Sequence, residues 1–127
     1  MQFLEGRLIV SPSDLTGFLE CEHLTQQELA AARGEIPRPE RDDPMLDMLS
    51  RRGLEHEGRY LAGFKATGRK IVEFPFPDGT IANLEKAHAD TVAAMHDRAD
   101  VIYQGTLFDG RWRCHPDFLI RVISRFC

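Results

Sequence analysis

Asp109-Gly110 stands between two runs of strand-forming residues, VIYQGTLF at 101–108 and RWRCHPDFLIRVI at 111–123, and no other stretch constrains the fold as much. Asp-Gly between such runs favours a tight antiparallel hairpin, because both residues tolerate the positive φ that a right-twisted ribbon demands of its turn. In the second run Arg111, Arg113, His115, Asp117 and Arg121 share one parity, and Trp112, Cys114, Phe118, Ile120 and Val122 share the other. Side chains alternate across a strand. One face is therefore expected to be polar and charged and the other to be core, with Pro116 bulging the strand in its middle.

Upstream the apolar period changes. RLIV at 7–10 reads as a short strand, and SPSD after it starts a helix near residue 12, with Ser11 or Ser13 as cap and Pro12 in the first turn. Leu15, Phe18 and Leu19, then Leu24, Leu29 and Ala30 to Ala32, keep helical spacing as far as Gly34 with a shift near Cys21, which predicts two short helices. EIPRPERDDP at 35–44 is rich in proline and charge and reads as an exposed loop. Leu46, Leu49, Gly53, His56, Tyr60 and Phe64 then recur at spacings of three and four, one face of a helix ending near Gly68. GRKIVEF at 68–74 predicts a strand closed by PFPDG, and Leu84, His88, Thr91 or Val92, Met95 and Ala99 mark another amphipathic helix.

These elements define one domain over residues 1–127, of α/β or α+β class, with helices at the start and a small mixed sheet that ends in the hairpin. No apolar run reaches the roughly 18 to 20 residues that span a bilayer, and MQFLEGRLIV has neither a basic leader nor a small-residue cleavage site, so the expected location is the cytoplasm, away from the membrane. Cys21, Cys114 and Cys127 are widely separated and form no CxxC pair; free thiols are expected.

The net charge of −4 excludes a protein that coats nucleic acid by bulk electrostatics, which needs clustered Lys and Arg. The distribution is uneven. Residues 111–127 carry Arg111, Arg113, Arg121 and Arg125 against Asp117 alone, a net +3, which leaves −7 for residues 1–110.

Gly53-x-x-His56-Glu57 on a helix, followed after a strand, a helix and a hairpin by Asp117-Phe118-Leu119-Ile120, resembles RecB-like nucleases of the PD-(D/E)XK superfamily. The SPSDLTGFLEC segment, the RRGLEHE helix and the ADVIYQGTLFDGRWR hairpin are similar to one branch of that family, and the likeness runs from about Ser11 to Val122. It implies a restriction-endonuclease-like PD-(D/E)XK core, DNA as partner, and a phosphodiesterase site that uses Mg²⁺ or Mn²⁺. Carried over by position, His56 and Asp117 are the catalytic metal ligands, and Glu57 is a weaker candidate. The cation would polarise the scissile phosphate and lower the pKa of a bound water. Gly53, one turn before His56, is expected to leave room for the imidazole, and Arg111, Arg113 and Arg121 to meet the phosphodiester backbone.

The family continues past its aspartate into a strand with an acidic-x-lysine motif, and no acid or lysine follows Asp117 here; nor does a small residue stand at Cys114. The chain is therefore expected to represent the N-terminal part of such a domain, truncated and incomplete or inactive alone, with a last strand whose open edge favours a homodimer or strand exchange. Some relatives hold an iron–sulfur cluster whose first cysteine follows the opening helix, as Cys21 does, but the later closely spaced trio is missing, and no cluster is expected. Blander readings stand beside these. His56 and His88 suit a core face, His23 and His115 are expected to face solvent, and Asp117 to pair with Arg113 or Arg121. The competing function is a non-catalytic nucleic-acid or protein interaction module on the nuclease fold.

Overall fold

The computed structural model describes residues 1–39 and 42–122. Arg125 and Cys127 lie outside them. The chain is of mixed α+β class, with the order β1 (Gln2–Leu4), β2 (Arg7–Ile9), α1 (Pro12–Glu20), α2 (Glu22–Ala32), α3 (Pro44–Ala66), β3 (Ile71–Glu73), α4 (Ile81–His96), β4 (Val101–Tyr103), β5 (Leu107–Phe108), β6 (Arg113–Cys114) and β7 (Phe118–Ile120).

The opening strand expected at 7–10 is the second arm of a hairpin. β1 pairs antiparallel with β2 across Glu5-Gly6, where both residues have positive φ (49° and 78°), as a two-residue turn between twisted strands requires. Glu5 Oε1 also accepts the Ile81 N–H at 3.3 Å, which ties this hairpin to the start of α4. Ser11 caps α1 in a reciprocal box with Asp14. The expected break at Cys21 is present: its backbone is extended (φ −160°) and it separates α1 from α2. Asp43 starts α3 by accepting the Met45 and Leu46 N–H groups at 3.0 and 3.3 Å, with Pro44 in the first turn.

The main sheet has the order β3-β4-β7. β3 and β4 are parallel and joined through α4, and β4 is antiparallel to β7. β7 lies at an edge among the described residues. Tyr103 and Phe118 oppose each other with ring centroids 5.1 Å apart, and the Phe118 ring meets Tyr60 and Phe64 of α3 at 5.1 and 5.9 Å. Ile102 and Leu119 form the next pair and face α4. Helices thus lie on both sides, so both parities of β7 pack. A second buried cluster of Ile9, Ile81, Leu84 and Phe108 binds β2, α4 and β5 together.

The long hairpin expected at 101–123 is divided. Its register is continuous, since Tyr103 opposes Phe118 and Leu107 opposes Cys114. Three residues on each arm, 104–106 and 115–117, are left out of the ladder. The break has two causes: Gln104 takes a left-handed conformation (φ 57°), and Pro116 has no N–H to give. At the tip the connection is not a two-residue turn but the four residues 109–112, because the Asp109 carboxylate accepts the Arg111 and Trp112 N–H groups at 2.9 and 2.7 Å. The expected core parity is corrected accordingly: Cys114 and Phe118 are half-buried, whereas Trp112, Ile120 and Val122 are exposed. Trp112 belongs to the tip, where it bridges Val10, and Ile120 and Val122 lie at the sheet edge.

Candidate functional site

The end of β4 brings distant parts of the chain together. Gln104 donates its backbone N–H to the Asp117 carbonyl at 3.0 Å, and its side-chain amide to Glu57 Oε2 at 3.2 Å. The Tyr103 hydroxyl donates to the same Glu57 oxygen at 3.2 Å. The left-handed backbone at Gln104 makes this possible, since it turns the chain out of the ladder opposite Asp117, the residue just before β7. One residue holds α3 and the head of β7 in register.

Within α3, Glu57, Leu61 and Phe64 are buried or half-buried, at spacings of four and three. Phe64 keeps its expected inward place, but Glu57 and Leu61 lie further in than the expected His56 and Tyr60. His56, about 100° around the helix from Glu57, is exposed, as is Asp117. Gly53 is not a relief for crowding either: a Cβ there would meet nothing within 4 Å. The N-terminal half of α3 stands clear of the body, with Met45, Leu46, Leu49 and Leu54 more than half exposed.

A magnesium or manganese ion prefers about six oxygen ligands in near-octahedral geometry. Among the described residues no group of three or more His, Cys, Asp and Glu side chains is placed to hold a metal ion. The Glu57 oxygen that faces the sheet already accepts two hydrogen bonds. His56, Glu57 and Asp117 by themselves therefore do not fit a closed metal centre.

The three arginines have different surroundings. The Arg121 guanidinium pairs with Asp100, whose other carboxylate oxygen accepts the Lys70 N–H at 2.9 Å. The Lys70 hydrogen bond, opposed by partial desolvation and aided by Arg121, holds the Asp100 carboxyl below its usual range. Arg111 and Arg113, by contrast, have no ion-pair partner among the described residues. The Trp112 and Arg111 N–H groups hold the Asp109 carboxyl below the usual range, so that charge is turned onto its own loop.

His115 does not face solvent. It is half-buried, its ring lies 4.4 Å from that of Phe76, Nδ1 is 3.2 Å from Thr106 Oγ1, and Nε2 is buried without a partner. Burial, with Arg113 nearby, lowers its pKa. A lowered folded pKa means that the neutral ring stabilises the fold; this contribution is complete above about pH 6.5 and is lost as pH falls from there through the folded value. Melting temperature should accordingly drop between pH 7 and pH 5, and His115→Gln should flatten that slope; an unchanged slope would reject the role. His88 keeps its expected inward position, half-buried with Nδ1 accepting the Phe108 N–H at 3.3 Å.

Two contributors escaped the sequence reading. Tyr103 and Gln104 looked like ordinary strand residues, and only the register with Asp117 reveals what they hold. No protein-family model, no curated protein and no solved structure matches this chain.

Proposed function

We propose that residues 1–127 form a RecB-like, nuclease-derived domain on a partial PD-(D/E)XK core, which contacts DNA and does not hydrolyse it unaided. One observation supports this reading: Gln104 bonds both the Glu57 carboxylate, next to His56 on α3, and the Asp117 backbone carbonyl, so the two segments that carry the resemblance meet at the end of β4. A mixed sheet with a parallel β3–β4 pair and an antiparallel β7 also suits such a core.

A bound Mg²⁺ or Mn²⁺ would supply Lewis-acid polarisation of a phosphate and a water of lowered pKa. By the resemblance His56 and Asp117, with Glu57 as a weaker candidate, are the residues that would approach it. The remaining ligands, and a lysine to balance charge, would have to come from another strand, so no hydrolytic step follows from these residues alone.

The test is Mn²⁺-dependent cleavage of labelled single- and double-stranded DNA, with binding followed by fluorescence anisotropy. Binding at low salt without cleavage is expected, with affinity falling as salt rises. Absence of binding at low salt would sink the reading. Cleavage abolished in both His56→Ala and Asp117→Asn would instead mean that an active site is assembled between chains.

The alternative, an interaction module without chemistry, is favoured by a separate feature. Leu19, Met45 and Leu54 are 76%, 65% and 63% exposed on α1 and α3, where a protein partner would cover them. Self-association through the β7 edge belongs to the same reading, and a concentration-independent monomer mass in light scattering would exclude it.

A further inference from the structure

The hairpin tip has a property that the Glu57–Asp117 site does not use. Trp112 is fixed through its backbone on every side. Its N–H goes to Asp109 Oδ1 at 2.7 Å and its carbonyl accepts the Asp109 N–H at 3.2 Å. The residues on either side are tied to Val10, through Val10 N–H to Arg111 O and Arg113 N–H to Val10 O, both 2.9 Å. Yet Trp112 is 43% exposed. A large apolar ring left in water on a rigid backbone is an unusual use of tryptophan, whose area stabilises a fold only when it is covered.

That ring borders a cavity of about 240 Å³, lined also by Pro12, His88, Leu107, Phe108 and Arg113. Pockets for drug-sized ligands run from roughly 300 to 1,000 Å³, so this one admits a single planar ring system and not a whole nucleotide. Its polar groups are few and placed. Because His88 Nδ1 accepts the Phe108 N–H, the neutral ring carries its proton on Nε2 and can donate to the edge of a ligand. Arg111 and Arg113 flank Trp112 with no carboxylate paired to either among the described residues, while the one nearby acid, Asp109, spends its carboxylate on the loop N–H groups.

We propose that this tip is a base-stacking subsite for single-stranded nucleic acid. One unpaired base lies on the Trp112 ring at the mouth of the cavity, and a phosphate beside it meets Arg113, which lines the same cavity. An aromatic ring next to a cation matches a base next to its phosphate along a single strand. A base within a duplex is covered by its neighbours and cannot offer its face. The subsite rests on the nucleic-acid part of the function proposed above but not on Glu57, His56 or Asp117.

Trp112 is the one tryptophan of the chain, so its fluorescence reports the contact directly. Short oligo(dT) and oligo(U) should quench it, and the stronger quencher identifies DNA or RNA as the natural strand. An abasic oligomer of equal length and a blunt duplex should not. Binding is followed in parallel by anisotropy of end-labelled strands. Trp112→Ala should weaken oligo(dT) binding about tenfold, within the range that one base stacked on an aromatic side chain supplies, and Trp112→Phe should restore most of it. Arg113→Gln should lower the salt slope by about one. Strands that bind by anisotropy without changing Trp112 fluorescence, or abasic strands that quench equally, overturn the subsite and leave the DNA-contact reading standing. No binding of any strand at low salt overturns both.

Discussion

Leu84→Ala is expected to cost about 2 to 5 kcal/mol of stability, a large part of the roughly 5 to 15 kcal/mol that a small domain has. Leu84 is 1% exposed and packs with Ile9, Ile81 and Phe108, which belong to β2, α4 and β5. None of the strands in this region could persist alone. β5 and β6 pair over two residues each and β1 and β2 over three, and an isolated hairpin of such length is not stable in water. Side-chain burial, not the ladder, therefore holds the two hairpins against α4, and the cavity left by Leu84→Ala opens at their common point. Leu54→Ala, at a position 63% exposed, should change stability by no more than about 0.5 kcal/mol. Urea unfolding of both variants with an unchanged m-value measures the contrast. Equal costs would mean that the buried cluster is not the core of the domain.

The same cluster explains what could be read from the sequence. Helix starts and stops were legible where they are local: SPSD with Pro12 at the head of α1 and Cys21 between α1 and α2 act through their own backbone neighbours, whereas Asp43-Pro44, read as loop, starts α3. The presence of the hairpin was legible as well, but not its register: an Asp109-Gly110 turn would set Phe108 opposite Arg111, and the four-residue connection sets it opposite Arg113. What alternation could not show is the three-residue interruption on each arm. Gln104 has a positive φ for the sake of contacts with Glu57 and Asp117, 47 residues before it and 13 after it, and nothing in its neighbours announces this. The α1–α2 and β1–β2 pairs also show the limit of patterning: Glu5-Gly6 is a turn signal, but the strand before it has only three residues from which to read a period.

The sequence singled out His56 and Asp117, with Glu57 a weaker candidate; the fold brings α3 and the residue before β7 together at Gln104 through Glu57, not His56. The helix rotation was not legible. With 100° per residue, a difference of one position turns His56 outward and Glu57 inward, and both residues fit a helical face when only apolar spacing is counted. Of the arginines expected to share a role, Arg121 is engaged by Asp100, a residue 21 positions earlier that no local pattern links to it. Trp112 was assigned to the core by parity and lies at the surface because Asp109 and Val10 fix the tip.

Gly105→Ala should destabilise the chain by about 1 to 3 kcal/mol, and Thr91 should decide how much. A Cβ at residue 105 would lie 3.2 Å from both Thr91 Cγ2 and Leu119 Cδ1, tighter than ordinary van der Waals contact. Leu119 sits on a sheet-edge strand and can yield. Thr91 cannot rotate away, because its buried hydroxyl accepts the Thr106 N–H at 3.0 Å and donates to the Ala87 carbonyl at 2.8 Å, and a turned Thr91 would leave that buried N–H unpaired. The smaller entropy of an unfolded chain with alanine returns only about 0.4 to 1 kcal/mol. Thr91→Ser keeps the hydroxyl and removes the offending methyl, so in that background Gly105→Ala should cost less by about 0.5 kcal/mol or more, read as the coupling in a double-mutant cycle. Additive costs would place the crowding on Leu119 instead. Gly105 follows Gln104 directly, so this close packing against α4 adjoins the residue that bonds Glu57 and Asp117 on the other side of the sheet.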